Sequence, residues 1–258
     1  MIYVLTHKPT LYKLPDNSIY KPLQVAAEQH LDLNLSKYKD NCGNNIGNWN
    51  PVYGETTGQY QIAYNLLDSD KDKFIGQCQY RRQLLFRETT DFEAIFNDFK
   101  CITCKPLLFA YGETVMTQFA RCHSEYYIRV CSEIITKMYP EYSESISKYW
   151  FYGNKLYYSN GFILPREEYL KYSDFLFSVL DAFRSHEGLY SVADFERYVS
   201  ENIEKGIQKA NNGFRQGYNY DLQVLAFLSE RIWTLWARHN YEGFILEMPY
   251  TLKENTGI

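Results

Sequence analysis

Two arginines stand side by side at Arg81 and Arg82, directly after the apolar run from Phe74 to Gln79. A guanidinium is charged at every physiological pH and presents a planar fork of N–H donors that matches phosphate oxygens two at a time. A pair of them at the carboxyl end of a strand is suited to hold a diphosphate. The competing reading is structural, with one arginine paired to a nearby carboxylate and the other solvated. A second group is Glu230-Arg231, within LQVLAFLSERIWTLWARH. On a helical wheel Leu225, Leu228, Ile232, Leu235 and Trp236 share one face, and Glu230 lies at its edge near Ala226 and Trp233. A carboxylate in such a half-apolar setting is suited to take a proton from a hydroxyl as a general base, and pairing with a buried arginine is the alternative. His7 and His123 are the remaining candidates for proton transfer or phosphate contact. Tyr157, Tyr158 and Asn160 could line a pocket for a second reactant, or serve as sheet packing.

Composition narrows the classes open to these groups. The chain has 258 residues, 45% hydrophobic and 22% charged, which excludes disordered and fibrous classes and is enough for one large domain. Aromatic residues reach 17%, with 25 Tyr and 16 Phe, and such rings serve as sugar-stacking platforms as well as core. The formal net charge is −4, so there is no global basic field and nucleic acid is not expected as a partner. Any anionic ligand must be held locally. No run approaches the roughly 18 to 20 apolar residues that cross a bilayer, and MIYVLTHKP lacks a charged segment followed by an apolar one. A cytoplasmic protein is expected, with any membrane contact peripheral and on the inner face. The six cysteines, Cys42, Cys78, Cys101, Cys104, Cys122 and Cys131, fit a reducing compartment. Cys101 and Cys104 form a lone CxxC that Cys122 and His123 could complete, but the spacing is irregular and ordinary thiols are expected. The run Asp68-Ser-Asp70-Lys-Asp72 begins like a calcium loop, yet Lys73 stands at its sixth position and Gln79 at its twelfth.

The elements that must position the candidates can be outlined. Residues 2–5 read as a short apolar strand running into the polar Thr6-His7-Lys8-Pro9, and 74–79 as a second strand. Residues 40–51, DNCGNNIGNWNP, are dense in turn formers and read as an ordered loop. A helix is expected over 55–67, helical structure over 112–148 with Pro140 as punctuation, and helices over 166–184, 191–209 and 220–239. Residues 155–164 form a third strand candidate, interrupted at Asn160-Gly161. This order argues an α/β fold with a helix-rich C-terminal half.

Six segments in order resemble a bacterial family of capsular and exopolysaccharide biosynthesis glycosyltransferases, long catalogued as a domain of unknown function. They are VLTHKP at 4–9, PDNSIYKPLQVAA at 15–27, DNCGNNIGNWNPVYGETTG at 40–58, FIGQCQYRR at 74–82, YSNGFILPREEYLKYSDFLF at 158–177 and FLSERIWTLW at 227–236. The resemblance implies a GT-A-like nucleotide-sugar-binding sheet flanked by helices, and transfer of a galactose-type sugar from a UDP-sugar donor to a glycan or lipid-linked acceptor. It places donor contacts on Thr6, His7, Lys8, Asp40, Gly43, Asn44, Asn45, Tyr80, Arg81 and Arg82. Together with the residue readings above, acceptor contacts are expected at Tyr158, Asn160, Gly161 and Arg231, and catalysis at Glu230 and His123. Many GT-A enzymes carry Asp-x-Asp after the strand that here ends in two arginines. Gln79 replaces the family's usual histidine and Asn44 a common aspartate, so a Mn²⁺ or Mg²⁺ ion is not favoured and no metal ligands are expected. A single domain over 1–258 is expected, with donor binding in 1–110 and acceptor binding and catalysis in 111–258. The alternative is a catalytically silent module that binds a nucleotide or glycan.

Overall fold

The computed structural model describes residues 1–67, 72–205 and 222–252. Asp68 to Asp70 of the acidic run, and the parts of the expected helices at 206–209 and 220–221, lie outside the described residues.

The strands are β1 (Ile2–Thr6), β2 (Tyr20–Gln24), β3 (Tyr38–Lys39), β4 (Phe74–Gln79), β5 (Arg82–Leu84), β6 (Cys101–Cys104), β7 (Leu107–Leu108), β8 (Lys155–Leu156), β9 (Phe162–Pro165), β10 (Ile245–Met248) and β11 (Tyr250–Leu252). The helices are α1 (Asn50–Tyr53), α2 (Thr56–Gln61), α3 (Phe92–Asp98), α4 (Val115–Cys122), α5 (Glu125–Met138), α6 (Ser143–Ile146), α7 (Arg166–Glu187), α8 (Val192–Glu204) and α9 (Val224–Tyr241). One mixed sheet runs in the order β10-β6-β9-β4-β1-β2-β3, with β5 paired to the end of β4 and β11 paired to β5. β3, β2, β1 and β4 are parallel, and β9 is antiparallel to both β4 and β6. Strands from both halves of the chain therefore share one sheet.

Alternate residues of each strand feed separate cores, as the two-residue repeat of a strand demands. Tyr3, Leu5, Ile75, Phe162 and Leu164 join the larger core, which also takes in residues of α5, α7 and α9. Ile2, Val4, Cys78, Ile102 and Ile163 face the smaller one with Phe96 of α3, where Phe74 stacks on Phe96 at 4.4 Å. With both faces covered, β1 is buried at every position and shows no polar alternation.

The expected helix at 55–67 is α2, continued by a π-helical turn over Ile62–Leu66. The expected 112–148 segment is broken: α4 stops at Cys122, and the Ser124 side chain caps α5 by accepting the Tyr126 N–H at 3.2 Å. α7 runs to Glu187 and ends on Gly188 at φ 68, a left-handed stop. α9 is buried almost all round, with Leu225, Leu228, Ile232, Trp233 and Leu235 fully enclosed. It is a central helix rather than a surface one. The described residues include no helix long and apolar enough to cross a membrane.

Candidate active site

β1 and β4 lie side by side and parallel, with Leu5 opposite Gln79. The chain leaves β1 towards β2 and β3 on one side and returns to β4 on the other. Such a reversal opens a crevice beyond the carboxyl ends of the two strands, where ligands of open α/β sheets bind. Thr6, His7 and Lys8 leave β1 at this edge, and Gln79 to Arg82 make the turn from β4 into β5. The antiparallel β9 starts here, so Ser159, Asn160 and Gly161 arrive at the same edge.

The two arginines do not form the structural ion pair. Among the described residues neither makes a salt bridge, and the buried Nε atoms of both have no hydrogen-bond partner. Arg81 lies over the Tyr80 ring at 5.5 Å, and Arg82 over the Tyr158 ring at 5.0 Å. Arg82 Nη1 donates to Gln79 Oε1 at 2.8 Å. The other side of the Gln79 amide donates to Glu55 Oε1. Gln79 is thus a bridge between a cation and a carboxylate, a task a neutral amide performs with a fixed donor and a fixed acceptor.

Glu55 was not among the candidates read from the sequence. It immediately precedes α2, after Gly54, and its second oxygen has no protein partner among the described residues. Its carboxyl is pushed up to about 7, first by burial and then by the nearby Glu230 charge, while Gln79, Arg81 and Arg82 pull the other way. The signal that could have found it is its place inside the matched run at 40–58, as the carboxylate that opens a helix.

Glu230 has both oxygens engaged. Oε1 accepts the Ser159 N–H at 2.7 Å, and Oε2 accepts Arg231 Nη1 at 2.9 Å. Ser159 and Asn160 both adopt left-handed backbone, φ 65 and 46, an uncommon pair of conformations that aims the Ser159 N–H at this carboxylate. Asn160 is fixed as well: its Nδ2 donates to Ser229 at 2.9 Å and its carbonyl accepts Gln77 Nε2 at 3.0 Å. Its Oδ1 is buried with no hydrogen-bond partner among the described residues.

His7 packs edge-on against Tyr80 at 5.4 Å. Its pKa falls to about 4, first through burial and then through the Arg81, Lys8 and His30 charges. At neutral pH it is an uncharged ring with one N–H to donate, and the positive charge of the crevice comes from Arg81, Arg82 and the exposed Lys8.

Residues 1–205 match the family described as a domain of unknown function, DUF4422. The chain belongs to the DUF4422 family. Among solved structures, the DUF4422 chain is similar to the apo structure of the bifunctional glycosyltransferase WbbM, with a TM-score of 0.72 and 22% identity. The likeness covers 98% of this chain and 45% of that one, so the DUF4422 chain spans less than half of the WbbM chain. No curated protein matches the sequence.

Several candidates of the DUF4422 chain build the site without facing it. Asp40 is fully buried and accepts the N–H groups of Ala26 and Ala27 at 2.9 and 3.0 Å and the Thr57 hydroxyl at 2.6 Å. It pins the segment after β2, where Ala26 has φ 59, and offers no free metal ligand. Asp40→Ala strands two buried N–H groups and should cost about 2–4 kcal/mol in urea unfolding. The Thr6 hydroxyl closes a turn onto the Lys8 carbonyl at 2.9 Å. Gly43, at φ +67, lies against Asn65, and Asn65 Nδ2 donates to the Asn44 carbonyl at 2.9 Å. Among the described residues Asn45 bonds to Gly43 and Gly47 of its own loop. Gly43 and Asn44 thus sit by the far end of the helix that Glu55 opens, about 15 Å along its axis, and the contacts of all three shape the loop.

Three further candidates change role in the same way. Gly161 is a packing glycine: a Cβ there would come within 2.5 Å of Cys104 Sγ. Arg231 is 3% exposed and directs Nη2 to Gln118 at 2.5 Å and Nη1 to Phe227 O at 3.0 Å and to Glu230, so it holds Glu230 rather than an acceptor. His123 is enclosed between Phe119 and Phe227, ring centroids 4.8 and 4.4 Å away, and burial beside Arg231 drives its pKa down to about 3. A ring that stays neutral and enclosed does not suit acid–base work in the crevice. Cys101 and Cys104 are buried strand residues, and no cluster of three or more metal-ligating side chains occurs among the described residues.

Proposed function

We propose that this chain is a glycosyltransferase that moves a galactose-type sugar from a UDP-sugar to a glycan or lipid-linked acceptor, in capsular polysaccharide, exopolysaccharide or O-antigen synthesis. The observation that carries the reading is the pair Arg81 and Arg82 at the carboxyl end of β4, which make no salt bridge among the described residues, with Arg82 joined through Gln79 to Glu55. The fold likeness to a glycosyltransferase supports it, as does the GT-A-like reading of a parallel run followed by an antiparallel strand. Breaking the sugar–phosphate bond leaves growing negative charge on the diphosphate. Arg81, Arg82 and Lys8 meet that charge, and neutral His7 adds one donor. Asn160 Oδ1, buried and without a hydrogen-bond partner among the described residues, suits a sugar hydroxyl, and Tyr158 offers a ring face beside Arg82. Residues 1–110 supply most donor contacts and 111–258 the acceptor side, and the protein works in the cytoplasm, in peripheral contact with the inner membrane face.

Release of UDP from UDP-galactose, with and without Mn²⁺, tests the reading. With water and galactose-terminated oligosaccharides as acceptors, turnover is expected, and it persists without the ion because arginine charge stands at the leaving group. Binding of UDP-galactose with no turnover under either condition would support the silent binding module instead, which Gln79 in place of histidine and the missing Asp-x-Asp favour.

A further inference from the structure

The charges of Glu55 and Glu230 act on each other in the crevice, and among the described residues their oxygens are engaged differently. Glu230 is locked at both oxygens, by the Ser159 N–H and by Arg231. Glu55 is held at one oxygen by Gln79 and keeps the other unbonded among the described residues. It is also joined through the Gln79 amide to Arg82, one of the arginines assigned to the leaving diphosphate. We propose that Glu55 is the catalytic base that takes the proton from the acceptor hydroxyl, and that Glu230, held at both oxygens, is a positioning residue beside it. The inference rests on the glycosyl-transfer reading above. In the step, the acceptor oxygen forms a bond to the anomeric carbon as its proton passes to the unbonded oxygen of Glu55. The bond from that carbon to the diphosphate oxygen breaks, and its electron pair leaves with UDP, held by Arg81 and Arg82. Protonated Glu55 then returns the proton to solvent.

The charged and polar groups around Glu55 are Glu230 of α9, Arg81 and Arg82 of the β4–β5 turn, and Gln79 of β4. Burial and Glu230 raise its proton affinity to about 7, against the pull of the other three. A base with its pKa near the working pH combines a large unprotonated fraction with a strong pull on the proton. Below pH 7 the carboxyl is protonated and inactive, so kcat/KM must rise with pH through about 7. Removing the Glu230 charge removes a raising influence and moves that limb to lower pH.

The test compares wild type, Glu55→Gln, Glu55→Asp and Glu230→Gln in UDP release from UDP-galactose between pH 5 and 9, with UDP binding measured by calorimetry. Glu55→Gln keeps an acceptor for Gln79 and is expected to lower kcat about 10²–10⁴-fold, to flatten the pH profile, and to leave the UDP Kd within about threefold. Glu55→Asp retains the pH limb at reduced rate, and Glu230→Gln shifts the limb down. Glu55→Gln with near wild-type kcat, or with its limb intact, overturns the assignment while leaving transfer established. Parallel loss of UDP binding in Glu55→Gln overturns it too, by making the residue structural. Wild type that releases no UDP overturns the transfer reading itself, and this inference with it.

Discussion

Replacing Arg81 and Arg82 together by alanine is expected to weaken UDP binding about 10²–10⁴-fold. Each guanidinium can make charge-assisted hydrogen bonds to phosphate oxygens, and each such bond is worth about 1.5–3 kcal/mol. Two of them give about 3–6 kcal/mol, which converts at about 1.4 kcal/mol per factor of ten. The cost to the fold should be small, because neither residue makes a salt bridge among the described residues and both Nε atoms already lack partners. Calorimetric titration of UDP checks the affinity, and urea unfolding checks the fold. Two titrations should move with it. Without Arg81, His7 loses a neighbouring cation and its pKa rises from about 4 towards the ordinary histidine value. Without both arginines, Glu55 loses two cations that favoured its charged form, so its pKa climbs above about 7. Residual turnover in the double variant would therefore rise with pH through a later limb than in wild type.

Arg231→Met is expected to destabilise the protein by about 3–5 kcal/mol, the cost of breaking a buried ion pair from one side. The guanidinium is 3% exposed, packs over Phe119 at 5.1 Å, and serves Gln118, the Phe227 carbonyl and Glu230 together. Its loss leaves Glu230, whose side chain is 16% exposed, with only the Ser159 N–H. Arg231→Lys keeps the charge but not the fork and should recover part of the loss. Thermal and urea unfolding read the stability. Since Arg231 acts on Glu230 and not on the diphosphate, UDP affinity of the folded Arg231→Lys variant should stay near wild type while turnover falls.

Much of this frame could be read from the chain alone, because its signals are local. β1 and β4 are short apolar runs between polar turns, α7 and α9 carry helical periodicity, and Arg81, Arg82 and Glu230 stand where strand end and helix face place them. What escaped depends on contacts between distant segments. Cys101 to Cys104 drew attention as a thiol pair, yet they form a strand buried on both sides between β9 and β10, where no alternation remains to mark it. β2 contains Pro22, which argues against a strand, and it is nevertheless paired in parallel with β1. His123 looked available, but two aromatic neighbours from α4 and α9 enclose it. Glu55 looked like one more polar residue at a helix start. Only the sheet edge, which brings α2, β4 and α9 together, makes it the partner of Glu230.

A crystal of the protein soaked in UDP tests the central claim most directly. The diphosphate is expected at the carboxyl end of β4, with its oxygens about 2.7–3.2 Å from the guanidinium nitrogens of Arg81 and Arg82, and the unbonded oxygen of Glu55 open to the adjoining space. A nucleotide bound elsewhere on the sheet edge, with the two arginines untouched, would contradict it.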